Sequence, residues 1–391
     1  MIQKAYKYRI YPNQEQEIMI NKTFGCCRFI YNYGLAKIKD AYEKDGTRIK
    51  ISDISKEIPV LKKEEDTCWL SEVPSIALIH TLRNLDAAYK NFFRELKKAQ
   101  KQKVPKKVDP PAFKNKFSRK SFKFHQGYKI NFTEGTIDAP KLKGLKVIYH
   151  REFIGTPKTC TISKNSAGEY YLSVTVETMG ELPEKPKIEN EKTAIIHLGL
   201  RNFAYIKIGN ELQTIDHPQF FIKSLDRIKL LDKRLSHRKN ANKGRKKDDE
   251  FKGANINKAR LKRAKLYNKI KNQRAAFLHN LSKELMQNKN ITTIVVENWK
   301  IKEMTQDNKY LSKYIADSGW RNFWTISNYK ADWYGVNFVQ AEKDFPSSKT
   351  CSECGHENKE LKAKIKWECP VCKTKHEREE NALLNLAKHV H

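Results

Sequence analysis

The sequence contains no run of 18 or more apolar residues, so no membrane-spanning helix is predicted. Its first residues, MIQKAYKYRIYP, lack the apolar core of a secretory signal, which points to an intracellular, cytoplasmic chain. Acidic side chains are in short supply. Asp and Glu number 45 against 77 Lys and Arg, a formal net charge of +32. Such an imbalance sets partners rather than fold, and the commonest polyanionic partner is nucleic acid. A generic basic protein, such as a ribosomal one, shares that composition. The eight cysteines of so long an intracellular chain suit metal ligation or free thiols better than disulfides. At 391 residues the chain exceeds one ordinary domain and suits two or three.

What is present begins with alternation over residues 2–11. Tyr6, Tyr8 and Ile10 share one face of a predicted strand, and Lys7 and Arg9 the other. Pro12 stops it, and Asn13 with Gln16 forms a candidate capping box. Helical spacing then runs through Ile20, Phe24, Cys27, Tyr31 and Leu35, with Cys26 and Cys27 read as core residues. A second helical tract from Pro74-Ser75 buries Leu78, Leu82 and Leu85 and exposes Lys90 and Arg94; it ends in a basic, proline-containing linker at 97–111. Residues 112–177 change to strand patterning, with Phe122, Phe124, Tyr128, Ile130 and Phe132 all at even positions. Their basic neighbours Lys114, Lys116, Arg119, Lys120 and Lys123 form a face suited to a phosphate backbone, or a merely solvated one. The N-terminal strand is expected to pair with this block, as part of a barrel. Beyond a linker at 182–190, strands are predicted at 193–198, 203–209, 211–216, 291–297 and 336–341. Two long helices fill 221–288, one helix spans 317–335 and a last helix starts near Arg378. Arg238, Lys239, Arg245, Lys246, Lys247, Arg260, Arg263 and Arg274 crowd the first two helices and their connection. A charge run is usually a solvated face, but this density favours phosphate contact.

Two constellations carry chemistry. Cys351-x-x-Cys354 and Cys369-x-x-Cys372 are paired knuckles, each placing two thiolates on a tight turn. Together they predict a structural Zn²⁺ site; the segment is too short for a core of its own, and four sulfur ligands leave no open position for catalysis. The second follows from element order, strand–strand–strand–helix–strand–helix–strand–helix, which fits an RNase-H-like nuclease. Such a site needs carboxylates from three separated elements to hold two Mg²⁺ ions about 4 Å apart. The positions here are His197 in the first strand, Glu297 at the end of the buried strand, and Glu379 at the start of the last helix. Only Glu297 is the expected acid. An imidazole offers one nitrogen and no negative charge; taken alone, His197 is equally a hydrogen-bonded core histidine. Glu379 carries a methylene more than the expected Asp, which moves its carboxylate by ~1 Å against a tolerance of about 0.5 Å.

These segments resemble the TnpB family, transposon-encoded RNA-guided relatives of the type V CRISPR effectors, over nearly the whole chain. KAYKYRIYPNQEQ and FGCCRFIYNYGLA resemble its opening, IIHLGLRNFA its first RuvC motif, NQRAAFLHNLS the helix before its second motif and IVVENWKIKEM that second motif. SSKTCSECG and CPVCKTKHEREENALLNL resemble the zinc knuckles and third motif. The family writes Asp at the position of His197, and its Asp-Arg-Asp-x-Asn-Ala reads here Glu377-Arg378-Glu379-Glu380-Asn381-Ala382.

The resemblance implies an α+β multidomain fold. Residues 1–12 and 112–187 form an OB-like β-barrel wedge domain and 13–111 a helical recognition domain. Residues 188–348 and 376–391 form an RNase-H-like RuvC domain, into which 349–375 insert a zinc ribbon. It implies a guide RNA and double-stranded target DNA with a short adjacent motif as partners, and no membrane. Ser75, His80 and Thr81 on the helix after Pro74 are the candidate readers of that motif, though generic helix-surface residues are as good a description. With two of three acids replaced, functional catalytic Mg²⁺ is not expected, and the chain is most similar to the nuclease-dead TldR subgroup, bacterial, nucleoid-associated proteins that repress transcription by occupying promoter DNA. Two alternatives stand beside this: an RNA-guided transposon endonuclease with residual cutting, and a basic structural DNA-binding protein without a guide.

Overall fold

The computed structural model describes residues 2–47, 49–101, 108–199, 201–241, 253–299, 301, 304, 311–361 and 364–388. The chain divides into two compact units, residues 1–180 and 181–391.

The first unit is a sheet with a helical layer. Strand β1 (Ile2–Tyr11) is followed by α1 (Gln14–Asp45), α2 (Ile51–Leu61), a 3₁₀ segment (Glu65–Glu72) and α3 (Ser75–Lys101). Six strands complete it: β2 (Lys120–Phe124), β3 (Lys129–Asn131), β4 (Thr136–Ala139), β5 (Leu142–Ile148), β6 (Thr156–Lys164) and β7 (Tyr170–Thr178). The alternation of β1 is realised as burial of Tyr8 and Ile10. As expected, β1 joins the later block: it lies between β7 and β5, with Ile2 opposite Thr178 and Arg9 opposite Ile148. The Asn13–Gln16 capping box is formed, and Gly46 in the left-handed region ends α1. One face of α1 (Ile20, Phe24, Cys27, Tyr31, Leu35) packs into a common core with Leu78, Leu82 and Leu85 of α3 and Phe122 and Phe124 of β2. The expected barrel is a half-barrel. The strand order β2-β6-β7-β1-β5-β4-β3 leaves β2 and β3 as edges. The three residues of β3 pair only with β4 among the described residues, too short a strand to carry the ladder round to β2.

The second unit has a five-stranded mixed sheet in the order β10-β9-β8-β11-β12. β8 (Thr193–Leu198), β9 (Asn202–Ile208) and β10 (Glu211–Asp216), at the three predicted strand positions, form an antiparallel meander, and β11 (Thr293–Asn298) and β12 (Asn337–Lys343) continue parallel to β8. The helices are α4 (Leu225–Ala241), α5 (Ala254–Gln287), α6 (Ser312–Ser318), α7 (Trp320–Tyr334) and α8 (Arg378–Ala387), with a small hairpin β13 (Lys366–Glu368) and β14 (Lys375–Glu377). The two faces of β8 explain the site. Ala194, Ile196 and Leu198 pack with Leu278, Leu281, Trp320 and Phe323 of α5 and α7, so those aromatics belong to the core. Ile195 packs with Leu383 and Leu386 of α8. Side chains alternate along a strand, so His197 shares the α8 face with Ile195, and Glu297 shares it with Val295 on β11. No helix among the described residues is long and apolar enough to cross a membrane.

Candidate acid site and cysteine centre

β8, β11 and the first turn of α8 bring together the three positions singled out in the sequence. His197 and Glu297 are both buried. His197 Nδ1 lies 2.9 Å from Glu297 Oε1, and His197 Nε2 lies 3.4 Å from Glu379 Oε2, an ion contact on the opposite side of the ring. The Glu297 carboxylate also accepts from the Leu198 N–H (3.1 Å) and the Ser347 hydroxyl (2.6 Å). Burial disfavours the imidazolium, but the two carboxylates outweigh it and raise the His197 pKa to about 9. Glu379 is pulled the other way: burial pushes its pKa up, and the imidazolium beside it brings the net shift down. His197 therefore lies between two carboxyl groups that favour its charged form. The ring nitrogens are both occupied by carboxylates.

The four cysteines also converge. Their sulfurs lie within 4.8 Å of one another, and this is the only group of three or more His, Cys, Asp or Glu ligand atoms so gathered among the described residues. None of the four is in a disulfide. Cys351 and Cys372 sulfurs are 3.5 Å apart and those of Cys354 and Cys369 3.6 Å, close to the ~3.8 Å edge of a tetrahedron with sulfur arms of about 2.3 Å. The donor set and its spacing fit a soft metal ion. Hydrogen bonds from Thr374 draw the Cys372 thiol down to about 6, toward the thiolate a metal requires. His376 Nε2, 3.1 Å from Cys351 Sγ, and the Trp367 ring packed at a tilt against His376 close one side.

The candidate phosphate-binding residues have diverse surroundings. Lys7 lies over the Tyr171 ring, and Arg9 pairs with Glu169 at 3.1 Å. Lys90 pairs with Asp86 and Arg94 approaches Glu95; Arg238 donates to the Asn255 carbonyl and Lys239 is exposed. Arg260 contacts Asn257, and Arg263 bonds Asp232. Arg119 and Lys120 line a cleft of about 360 Å³ with Arg28, Lys114, Asn84 and Asn115, while Lys123 is half-buried beside it on β2. Ser75 accepts from Lys62. Three residues are largely engaged inside the fold, although Thr81 also lines that cleft and Arg274 is only half-buried. His80 and Thr81 are buried because they fall on the α3 face that packs inward with Ala77, Leu78 and Leu82. There His80 bonds His125 at 2.6 Å and Thr81 donates to the Ala77 carbonyl. Arg274 is committed to the fully buried Asp317 at 2.7 Å. Arg245, Lys246 and Lys247 lie outside the described residues.

Sequence reasoning missed several site residues. Ser347 opens the SSKTCSECG segment, but nothing in that motif points to a contact with Glu297. Asn381 and Asn385 stand four apart in HEREENALLNL, one helical face, and that spacing was a usable signal.

Comparisons with known proteins match three stretches of the chain. Residues 1–47 match a family described as a helix-turn-helix domain, 171–308 one described as a probable transposase, and 320–386 one described as a Cas12f1-like TNB domain. Residues 1–47 here are a strand and one uninterrupted 32-residue helix, not two helices and a turn. A protein of Streptomyces pristinaespiralis, provisionally named an RNA-guided DNA endonuclease, is 29% identical over 388 residues, which is 98% of this chain and 89% of the relative. InsQ of Escherichia coli K12, provisionally named likewise, is 25% identical over 94% of this chain and 87% of its own length. Among solved structures, Cas12f1 in its complex with sgRNA and target DNA has the same fold, with a TM-score of 0.53 at 13% identity over 99% of this chain and 98% of that one.

Proposed function

The chain belongs to the TnpB (IS605 OrfB) family, and from that premise we propose that it binds DNA under the direction of a guide RNA without cutting it, and represses transcription by occupying promoter DNA. The partners in this reading are a guide RNA and a double-stranded target with a short adjacent motif. Pairing supplies the sequence specificity, and the protein reads backbone and the adjacent motif. The net charge of +32 suits both polyanions. The four cysteines hold a structural Zn²⁺, which cross-links their two knuckles.

One observation carries the inactive reading: His197 between Glu297 and Glu379. Two Mg²⁺ ions at such a site need carboxylate oxygens from three elements. With its pKa near 9, His197 is protonated at neutral pH and places a positive charge where that site needs a negative one. It also occupies an oxygen of each remaining carboxylate.

The names of the relatives favour a second reading, an RNA-guided DNA endonuclease of a transposon, and on those names alone it is the better backed. One experiment separates the two. The protein is purified with its RNA, and incubated with supercoiled plasmid bearing the matched target and adjacent motif, with Mg²⁺. The expected result is a retained, uncut complex. Efficient linearisation would establish the endonuclease reading instead. The double variant His197→Asp, Glu379→Asp, which restores three carboxylates, should gain Mg²⁺-dependent linearisation in the same assay.

A further inference from the structure

We propose that the cysteine centre and the acid site form one mechanically coupled unit, in which Ser347, Asn381 and Asn385 are positioning residues that transmit the state of the cysteine centre to Glu297 and His197. The inference rests on the metal-holding reading of the four cysteines.

The contacts form a closed ring. Asn381 and Asn385 are both buried on α8, one turn apart. Their side-chain amides grip the loop leading into the first cysteine knuckle: Asn381 donates to the Thr350 carbonyl (2.7 Å), and Asn385 to the carbonyls of Thr350 (2.6 Å) and Ser347 (2.8 Å). In return the Ser352 N–H, next to Cys351, donates to Asn381 Oδ1 at 2.9 Å. The same loop carries buried Ser347, whose hydroxyl donates to Glu297 Oε1 at 2.6 Å. Glu297 holds His197, and His197 meets Glu379 on α8, completing the ring. The second knuckle enters the same helix by another route. Cys372 is followed by β14, which runs without a break into α8, and His376 of β14 reaches Cys351. Both knuckles therefore fix the position of the helix that presents Glu379.

Buried amides that satisfy several carbonyls at once act as rigid joints, because each lost bond strands a polar group. Drawing the two knuckles together sets the 347–352 loop against α8, and that setting places the Ser347 hydroxyl on Glu297. Releasing the knuckles frees the loop and removes Ser347 from Glu297. A purely local metal role predicts loosening confined to the cysteine segment. The coupled unit predicts loosening of β8 as well, far away in sequence.

Hydrogen exchange by mass spectrometry on the full chain distinguishes the two, with metal content measured on the same samples. The Leu198 N–H is the reporter, since it donates to Glu297 Oε2 and lies in β8. Stripping metal with a chelator should speed exchange of residues 349–376 and also of the peptide containing Leu198, the latter by about fivefold. Ser347→Ala should speed the Leu198 peptide by a similar factor while leaving metal content and exchange of 349–376 unchanged. Asn385→Leu, close in volume, should loosen both regions with metal retained. If the purified protein holds no metal on its cysteines, the reading beneath the proposal fails. If metal is present and stripping it or changing Ser347 leaves the Leu198 peptide unaltered, the coupling itself is overturned.

Discussion

At the scale of single residues, His197 shows how one side chain can stabilise a site while changing its chemistry. Two carboxylates facing each other across β8, β11 and α8 would repel; an imidazolium between them removes that cost. The sign of the pH effect follows. The folded pKa, about 9, lies above the ordinary 6.5, so the stabilisation is fully present below pH 6.5 and is lost as pH rises through 9. Its size is up to about 3 kcal/mol, from the linkage between pKa and stability. The stability difference between the native protein and His197→Gln, measured by denaturant unfolding at pH 6 and at pH 9.5, should shrink by that order across the interval. An unchanged difference would mean that folding leaves the His197 pKa at its ordinary value.

At the scale of elements, the strength of a pattern depended on how local its cause was. The β1 alternation, the Asn13–Gln16 cap and the two cysteine knuckles are each fixed by neighbours a few residues away, and each is formed. Packing between helices is set instead by the partner. Gly34 on α1 shows this: a methyl added there would come within 2.7 Å of Leu82 Cδ2 and 3.2 Å of Leu85 Cδ2 on α3. Gly34→Ala should therefore destabilise the first unit by about 1–3 kcal/mol, through displaced helices rather than a strained backbone. Thermal or denaturant melting of the variant checks it, and a neutral result would mean that the leucines move aside freely.

At the scale of the whole molecule, charge and fold answer different questions. The excess of 32 positive charges belongs to the surface and to partners, and it carries a prediction independent of sequence readout. The logarithm of the affinity for non-cognate DNA should fall linearly with the logarithm of salt concentration, steeply enough to indicate several phosphate contacts. Fluorescence anisotropy across a salt series measures the slope; a flat line would mean that the basic residues are spent on internal pairs. Some are: Arg263 with Asp232, Arg274 with Asp317 and Arg9 with Glu169.

The sequence by itself determined the α+β character, the succession of strands and helices along the second unit, the cysteine spacing and the identity of the residues at the three acid-site positions. Each of these is written in local periodicity or in a motif, where the forces act within a turn or a pleat. Only the tertiary structure decided what those residues touch. It closed His197 between carboxylates 100 and 182 positions away in the chain, turned His80 and Thr81 inward, and left the first sheet a half-barrel. It also recruited Ser347, Asn381 and Asn385 to join the cysteine centre to the acid site. Long-range contacts of this kind depend on how whole elements pack, and no window of neighbouring residues contains that information.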